Sequence, residues 1–413
     1  MSLNNTASAN RIHIAFFGRR NAGKSSLVNA VTNQQLSVVS EHKGTTTDPV
    51  KKAMEILPLG PVVIIDTPGF DDIGDLGMLR VEKTLEILRK TDIAVLVVDS
   101  TKGVGNVEKE LIGLFKERSL PYIIAYNKSD LLSNKPEETE NKKENEIYIS
   151  AKLKEGINEL KNLIAKFADT KSVDKKILAD LVDQGDTVVL VIPIDQSAPK
   201  GRLILPQQQV LREILDINAT AVCCQDDDLV QTLDSLKTKP KIVITDSQVF
   251  GKVSKLISED IPLTSFSILF ARYKGNLETL VKGAVAIDSL SEGDKILISE
   301  GCTHHRQCND IGSVKMPKWI ENYTGKKFEY EFSSGNSFPQ NLKEYKLIIH
   351  CGGCMLNEKE MQYRIKQAAS QGVPIVNYGV AIAYMHSILY RCVEPFDNIR
   401  KILDKQSVQD NNS

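Results

Sequence analysis

The run Ile12-His13-Ile14-Ala15-Phe16-Phe17, followed at once by Gly18-Arg19-Arg20-Asn21-Ala22-Gly23-Lys24-Ser25, decides the fold of the first part of the chain. The apolar run is typical of a buried parallel strand, and the segment after it is typical of a helix. Between them lies G-x-x-x-x-G-K-S, a phosphate-binding loop in the strand–loop–helix context that this motif requires. Its glycines let successive backbone N–H groups converge on phosphate oxygens at the positive end of the helix. We expect Lys24 to reach the phosphates and the Ser25 hydroxyl to bind Mg²⁺.

Two further segments fit the handling of a terminal phosphate. Asp66-Thr67-Pro68-Gly69 follows an apolar strand and reads D-x-x-G. We expect Asp66 to hold Mg²⁺ through water and the Gly69 amide to sense the γ-phosphate. Gly44-Thr45-Thr46-Thr47-Asp48 fits a first switch, with Thr46 as the second Mg²⁺ ligand and Thr45 or Thr47 as alternatives.

The segment Asn127-Lys128-Ser129-Asp130 follows another strand and reads N-K-x-D, which predicts that the base of the bound nucleotide is guanine. A carboxylate at Asp130 can accept two hydrogen bonds from the guanine N1–H and amino group. Adenine has no matching pair of donors and would leave a buried charge unpaired. Ser150-Ala151-Lys152 then supplies backbone for the guanine O6. The predicted GTP/GDP contacts are Asn21, Ala22, Gly23, Lys24, Ser25, Ser26, Asn127, Lys128, Asp130, Ser150, Ala151 and Lys152.

These motifs predict a G domain over residues 11–170, with Lys24, Thr46, Asp66 and Gly69 in the catalytic machinery. The sequence resembles the GTPases of the TrmE and Era type, which share the asparagine at Asn21 and G-T-T-x-D. Phe70 stands where Ras-type enzymes have a water-orienting glutamine. The resemblance implies that Asn21 and switch carbonyls bind K⁺ in place of an arginine finger. We interpret Arg19 and Arg20 as solvated loop arginines.

The middle segment, residues 175–265, alternates apolar strands with helical spacing and predicts a small α/β domain. Cys223 and Cys224 occur within a strand, where we expect them to serve as buried small residues. Adjacent strand residues face opposite sides, which disfavours a shared metal. Because no catalytic constellation is present here, we hypothesise an oligomerisation module.

The last third, residues 266–405, carries two groups of cysteine and histidine after apolar strands. One is Cys302-Thr303-His304, and the other is His350-Cys351-Gly352-Gly353-Cys354. Carboxyl ends of parallel strands share one sheet edge, so we expect the groups to meet. Three thiolates and a histidine suit zinc, and three thiolates also suit an iron–sulfur cluster, with Cys308 as a further ligand or a spare thiol. Spacing alone leaves the metal open. His386 lies in an apolar helix and is expected in the core.

Composition narrows the function classes. The 413 residues have a net charge of −1, 41% hydrophobic and 25% charged residues, and seven cysteines. This predicts no nucleic-acid surface and, with no long apolar run, no membrane span. Seven cysteines in so long a chain do not indicate a disulfide scaffold, so we expect a cytoplasmic protein. Residues 1–10 are expected to be a disordered tail and residues 406–413 a polar tail.

The whole pattern is specific where the single motifs are not. C-x-H, a gap of 45 residues and H-C-x-x-C, behind a G domain and an α/β spacer, resembles the [FeFe]-hydrogenase maturation GTPases of the HydF family. The resemblance implies a [4Fe–4S] cluster on Cys302, Cys351 and Cys354, with His304 and His350 as ligands or as hydrogen-bonding neighbours. It also implies dimerisation through the middle domain.

In such a protein the cluster domain acts as a scaffold. The resemblance implies that it receives a transient diiron precursor from radical-SAM maturases and delivers it to apo-[FeFe]-hydrogenase. The fold class expected is α/β in three domains: a P-loop G domain with a mostly parallel sheet, a dimerisation domain and a cluster domain.

Two other functions compete with this reading. One is a GTP-dependent RNA-modification or ribosome-assembly factor with a zinc-stabilised C-terminal domain. It predicts a basic surface with aromatic residues, and the net charge of −1 and single tryptophan disfavour it. The other is a GTP-gated interaction protein whose metal is structural.

Overall fold

A computed structural model describes residues 11–33, 50–67, 84–133, 143–169, 175–194, 201, 203–301, 310–335, 337–353, 356–401 and 403. The chain divides into two compact units, residues 1–174 and 175–413. Several predicted features lie outside the described residues: the two tails, Thr46, Gly69, Cys302, His304 and Cys354.

The first unit contains a six-stranded sheet in the order β2-β3-β1-β4-β5-β6, in which β2 is antiparallel to β3 and the other pairs are parallel. Alternate residues of β1 fill two cores, Ile14 and Phe16 on one face and Ala15 and Phe17 on the other. The predicted G-domain fold is therefore confirmed. The strands are β1 (Ile12–Phe17), β2 (Val50–Ile56), β3 (Gly60–Asp66), β4 (Ile93–Asp99), β5 (Tyr122–Asn127) and β6 (Glu146–Tyr148). The helices are α1 (Lys24–Thr32), α2 (residues 84–90), α3 (Asn106–Glu117) and α4 (Ile157–Asp169).

The second unit contains two four-stranded sheets, each parallel throughout. The strands are β7 (Thr187–Val191), β8 (Thr220–Cys224), β9 (Ile242–Thr245), β10 (Leu263–Ser265), β11 (Lys295–Glu300), β12 (Glu329–Ser334), β13 (Leu347–His350) and β14 (Ile375–Asn377). The helices are α5 (Leu205–Asp216), α6 (Leu229–Ser235), α7 (Phe250–Leu256), α8 (Phe266–Lys274), α9 (Leu277–Val285), α10 (Met316–Thr324), α11 (Glu358–Ser370), α12 (Tyr378–Met385) and α13 (Leu389–Val393).

The two sheets of the second unit repeat one topology. One sheet has the order β8-β7-β9-β10 and the other has the order β12-β11-β13-β14. In both, the order across the sheet is second, first, third and fourth strand of the module. We call the parts built on them the β7–β10 module and the β11–β14 module. In both orders the chain reverses direction across the sheet between the first and third strands, which is where open α/β sheets place their ligands.

The repeat extends to single residues. Val191 pairs with Cys224 and Thr245, and at the same positions of the other sheet Ser299 pairs with Ser333 and His350. The first strand of each module follows a glycine with positive φ, Gly185 at 86° and Gly293 at 79°. Such agreement in register defines equivalent positions in the two modules.

The two modules share one hydrophobic core that runs from Ile177 to Phe396. Helices α8 and α12 follow the fourth strands, and their second residues, Ser267 and Gly379, meet. A Cβ on Gly379 would lie 2.3 Å from the Cβ of Ser267, so this crossing requires glycine. Lys274 at the end of α8 is buried and donates to the Leu356 carbonyl at 3.2 Å. Leu356 belongs to residues 351–357, which carry Cys351 and Cys354 and which we call the cysteine loop, so this bond joins the two modules.

Two expectations about side chains are wrong. Cys223 is exposed and Cys224 half-buried, because β8 is the last strand of its sheet, and no strand among the described residues lies beyond it. His386 is exposed, since α12 ends at Met385 and His386 is its C-cap, with its ring against Gly251.

Candidate functional site

The phosphate-binding loop joins β1 to α1 through residues in unusual backbone conformations. Gly18, Asn21 and Gly23 have φ of 144°, 61° and 90°. A Cβ on Gly18 would lie 2.3 Å from the Val97 carbonyl oxygen, so only glycine fits there. The Lys24 ammonium donates to the carbonyls of Gly18 and Arg19 at 2.9 and 2.8 Å, so the loop wraps around its own lysine.

Two of the three predicted magnesium residues, Ser25 and Asp66, meet at the mouth of this loop, and the third, Thr46, lies outside the described residues. The Ser25 hydroxyl donates to Asp66 Oδ2 at 2.9 Å, and Asp66 ends β3 beside β1. A hydroxyl and a carboxylate oxygen at this distance form one corner of an oxygen site of the kind Mg²⁺ prefers.

The predicted base-binding segments also come together. Asn127 Nδ2 donates to the Ala22 carbonyl at 3.0 Å, and its Oδ1 accepts from the Ala151 amide at 3.0 Å. The Ser150 hydroxyl donates to Asp130 Oδ1 at 2.6 Å. Buried Asn127 therefore joins the phosphate loop to both base-binding segments, while the side chains of Ser26 and Lys152 are exposed.

Two supporting carboxylates were not predicted. Asp99, at the end of β4, accepts from the Lys128 ammonium at 2.7 Å. Burial alone raises the pKa of Asp99, but the Lys128 and Thr101 hydrogen bonds outweigh it and the pKa is lowered. The position of Asp99 could have predicted its role, because Asp99, like Asp66 and Asp130, occurs where a buried strand of the same sheet ends.

The other is Glu108 on α3. It is 3% exposed, accepts from the Gly105 amide and pairs with the Arg19 guanidinium at 2.9 Å. The interpretation of Arg19 as a solvated loop arginine is therefore wrong. A buried carboxylate needs a partner, and the phosphate-binding loop supplies one.

The two strands that precede the cysteine-bearing segments end next to each other, at the carboxyl edge of the sheet of the β11–β14 module. Strands β11 and β13 are neighbours, and the Cys351 amide donates to the Ser299 carbonyl at 2.9 Å. The Gly301 amide donates to Cys351 Sγ at 3.0 Å, and the Gly353 amide approaches the same sulfur at 3.4 Å. Gly301 immediately precedes Cys302.

The cysteine loop is closely packed. A Cβ on Gly301 would lie 2.8 Å from the Leu356 side chain, and Gly353 has a φ of 63° and abuts Met361. Backbone N–H groups aimed at a sulfur favour its thiolate over its thiol. Among the described residues no three His, Cys, Asp or Glu side chains are grouped to hold a metal ion.

His350 is fully buried beneath this loop, and both ring nitrogens have partners. Nδ1 lies 2.6 Å from the Cys351 carbonyl oxygen, and Nε2 lies 2.9 Å from Arg364 Nη1. Burial, and then the nearby Arg364 guanidinium, lowers the pKa of His350 to about 3, so the ring is neutral. In this arrangement His350 supports the Cys351 backbone.

In the described part of the chain, no helix is long and apolar enough to cross a membrane.

Curated relatives match part of the chain. The GTPase Der of Kosmotoga olearia is 37% identical over 133 residues, covering 31% of this chain and 30% of that protein. The tRNA modification GTPase MnmE of Desulforamulus reducens is 34% identical over 152 residues, covering 36% of this chain and 32% of that protein. The chain thus spans about a third of the length of these relatives. The solved structure of a probable GTP-binding protein engB is 26% identical and covers 38% of this chain and all of that chain, with a TM-score of 0.31.

Three family models match in succession. One described as 50S ribosome-binding GTPase matches residues 13–128, which include the phosphate-binding loop and reach Lys128. The hydrogen maturase F dimerization domain matches residues 177–275, and the hydrogen maturase F tetramerization domain matches residues 278–395. The last two matches together cover more than half of the chain and coincide with the two modules. The chain therefore belongs to the hydrogen maturase F (HydF) family, with a GTPase G domain ahead of the two family domains.

Proposed function

We propose that this chain hydrolyses GTP and serves as an iron–sulfur scaffold in [FeFe]-hydrogenase maturation. It holds a diiron precursor as cargo and passes it to apo-hydrogenase. Family membership and the cysteine site of the β11–β14 module support the carrier role, and the joined nucleotide motifs support GTP hydrolysis.

For hydrolysis, Lys24 and the loop amides hold the phosphates while Ser25, Asp66 and Thr46 hold Mg²⁺. Gly69 senses the γ-phosphate, and Asp130 reads guanine. Asn21 helps to bind K⁺, whose charge stabilises the transition state that an arginine finger stabilises elsewhere. The exposed side chain of Asn21, in a loop with positive φ, supports this role.

The observation that most supports the cluster role is the 3.0 Å hydrogen bond from the Gly301 amide to Cys351 Sγ. In the sequence, Cys302 directly follows Gly301, and Cys354 comes three residues after Cys351, so the proposal brings these two cysteines to the Cys351 sulfur. Two amide donors on one sulfur fit a thiolate that binds a metal.

We propose that Cys302, Cys351 and Cys354 hold a [4Fe–4S] cluster, with His304 as a ligand or a hydrogen-bonding neighbour. Held by three cysteines, such a cluster would supply one coordination position for the cargo. The protein's own residues fix the loop: Gly301 and Gly353 donate to Cys351, and His350 holds its carbonyl.

We propose that the chain forms a homodimer through the open edge of β8. Thr220–Cys224 has no charged residue, and its residues are half-buried or exposed although they form a strand. The Thr220 amide donates inward to Asp186 and the Cys224 carbonyl accepts inward from Ile192, so the amides of Ala221 and Cys223 face outward. Two such edges can join about a two-fold axis.

Radical-SAM maturases and apo-[FeFe]-hydrogenase are the partners in this proposal, and the cytoplasm is the compartment. The RNA-modification alternative rests on relatives such as MnmE, which match only about a third of the chain. The two modules that follow the G domain match hydrogen maturase F domains instead.

Anaerobic reconstitution of the full chain with iron and sulfide tests the cluster. The wild type should turn brown, with about four iron and four sulfide per chain and an EPR signal after reduction. Cys351→Ser should lose most of this absorbance, while Cys223→Ser in the other module should keep it. A colourless protein that binds one zinc without sulfide would refute the proposal.

A further inference from the structure

The side chain of Arg364 is fully buried inside the β11–β14 module, which is costly for a charged group. Nε pairs with Glu360 on the same helix at 2.9 Å, and Nη2 donates to the Gly335 carbonyl. Nη1 lies 2.9 Å from His350 Nε2 and 3.3 Å from the Ser299 hydroxyl. Arg364 thus joins three neighbouring strands of one sheet at its carboxyl edge.

The chemistry of these groups fixes the proton on His350. A guanidinium can only donate, so His350 Nε2 must be the acceptor. Because the neutral imidazole carries one proton, that proton is on Nδ1 and is donated to the Cys351 carbonyl 2.6 Å away. The Cys351 carbonyl can only accept and favours the same tautomer, but without Arg364 the ring would lose its donor at Nε2, which would be open to another partner.

The β7–β10 module is an internal control for what this network does. At the positions of Ser299, His350 and Cys351 it has Val191, Thr245 and Asp246. The Thr245 hydroxyl donates to the next carbonyl, that of Asp246, as His350 does to Cys351. The Asp246 carboxylate accepts from the amide two residues on, as the Cys351 sulfur does from Gly353.

Among the described residues of the β7–β10 module no arginine or histidine is buried, so the same strand arrangement forms there without this pair. In that module a threonine is enough to hold the backbone at the end of the third strand. The costly pair occurs in the module whose sequence carries Cys302, Cys351 and Cys354, so it serves the cysteine loop rather than the sheet.

We propose that Arg364 is the positioning residue of the cysteine loop. By donating to Nε2 it holds His350 as the Nδ1–H tautomer, turned toward the Cys351 carbonyl, with both ring nitrogens engaged by protein groups. The role toward iron rests on the proposed cluster, whereas the tautomer does not. His350 thereby leaves an iron coordination position open instead of filling it.

The apo-protein tests the tautomer directly. Full-length protein labelled with ¹⁵N-histidine should give long-range ¹H–¹⁵N correlations for a ring protonated at Nδ1, and these should vanish in His350→Gln, which assigns them among the six histidines. A ring protonated at Nε2 would overturn the proposal even if no cluster is ever formed.

The reconstituted protein tests the effect on iron. Since removing Arg364 alone would leave Glu360 as a buried unpaired charge, the variant is Glu360→Gln/Arg364→Met, with Glu360→Gln as its matched control. In pulsed EPR of the reduced cluster, we expect a strong imidazole nitrogen coupling to appear in the double variant and to vanish when His350→Gln is added.

The wild type and Glu360→Gln should show no imidazole coupling from His350, so adding His350→Gln to either of them should leave the spectrum unchanged. A His350-dependent coupling already present in the wild type, or an unchanged spectrum in the double variant, would contradict the proposal. Unchanged mass by light scattering confirms that the variants remain assembled.

Discussion

At the scale of the residue, the nucleotide site depends on contacts between segments far apart in the chain. Asp99 and Lys128 show this: the N-K-x-D motif predicts Lys128, yet the carboxylate that holds its ammonium comes from another strand. A motif fixes residues that are close in sequence. The partner of Lys128 follows from the sheet order, since β4 and β5 are neighbours and Asp99 pairs with Asn127.

The lowered pKa of Asp99 makes a prediction about acid stability. A carboxyl whose pKa falls on folding stabilises the native state above the ordinary carboxyl pKa of about 4, and this contribution is lost as the pH falls through the native pKa. Asp99→Asn should therefore lower the stability of the first unit by about 1 kcal/mol at pH 7. The deficit should shrink below about pH 4.

Calorimetry across this pH range measures the difference in stability between the wild type and Asp99→Asn. The unfolding transition of the G domain is identified by the rise in its midpoint temperature when GDP is added. The exposed substitution Glu117→Gln is the control and should show no such trend. A deficit that is constant from pH 7 to 4 would show that the ion pair is not its source.

Asn21 makes a prediction about monovalent cations. GTP hydrolysis by the wild type should be about tenfold or more faster in K⁺ than in Na⁺, because K⁺ supplies charge at the transferring phosphate. Asn21→Gly, which preserves the positive φ of 61°, should abolish this difference. Asn33→Gly, at another asparagine of positive φ, should preserve it. Equal wild-type rates in the two salts would exclude the K⁺ role.

The support around His350 shows where sequence reasoning ends at this scale. Its position next to Cys351 predicts that it is either a ligand of the cluster or a hydrogen-bonding neighbour. The spacing of the motif does not distinguish between these two roles. The deciding partner, Arg364, lies on a helix after the cysteine loop, and a lone arginine among polar residues gives no signal in a sequence.

At the scale of the element, long apolar strands such as β1, β4 and β11 could be predicted, because strands buried on both faces read as continuous apolar runs. The strand β12, Glu329–Ser334, could not, because it lies at a sheet edge and alternates acidic with aromatic residues. The repeat of two modules could not be predicted from the sequence either. It consists of equivalent strand pairing, and the residues at equivalent positions differ in chemistry.

The free edge of β8 makes a prediction about assembly. Cys223→Pro removes an amide that faces away from β7, so the monomer should fold while strand pairing between two chains is blocked. We expect the mass measured by light scattering at micromolar concentration to fall from dimer to monomer. Cys223→Ala, which keeps the amide, should remain dimeric. A Cys223→Pro protein that is still dimeric would place the interface elsewhere.

At the scale of the whole molecule, the nucleotide site and the cysteine site belong to different compact units. Lys24→Ala should therefore abolish GTP hydrolysis, at least a hundredfold by loss of phosphate-charge stabilisation, while the reconstituted cluster keeps its absorbance and its iron content. Cys351→Ser should do the reverse. Loss of both properties in either variant would mean that one unit does not fold or function without the other.

Three domains were expected, and the two behind the G domain share one core. The sequence could not show this, because the joining contacts, such as Ser267 with Gly379 and Lys274 with Leu356, link residues about 80 to 110 positions apart. Each involves a small or buried polar residue that carries no pattern of its own.

The matching register of the two modules has a consequence for protein engineering. A designer who wants a second sulfur site in this chain has a native template for it, since Ser299, His350 and Cys351 have counterparts at the same register positions of the β7–β10 module. Asp246 would become the cysteine, Thr245 its histidine support and Val191 the serine beneath, with the wild-type module in the same molecule as a reference for every backbone bond.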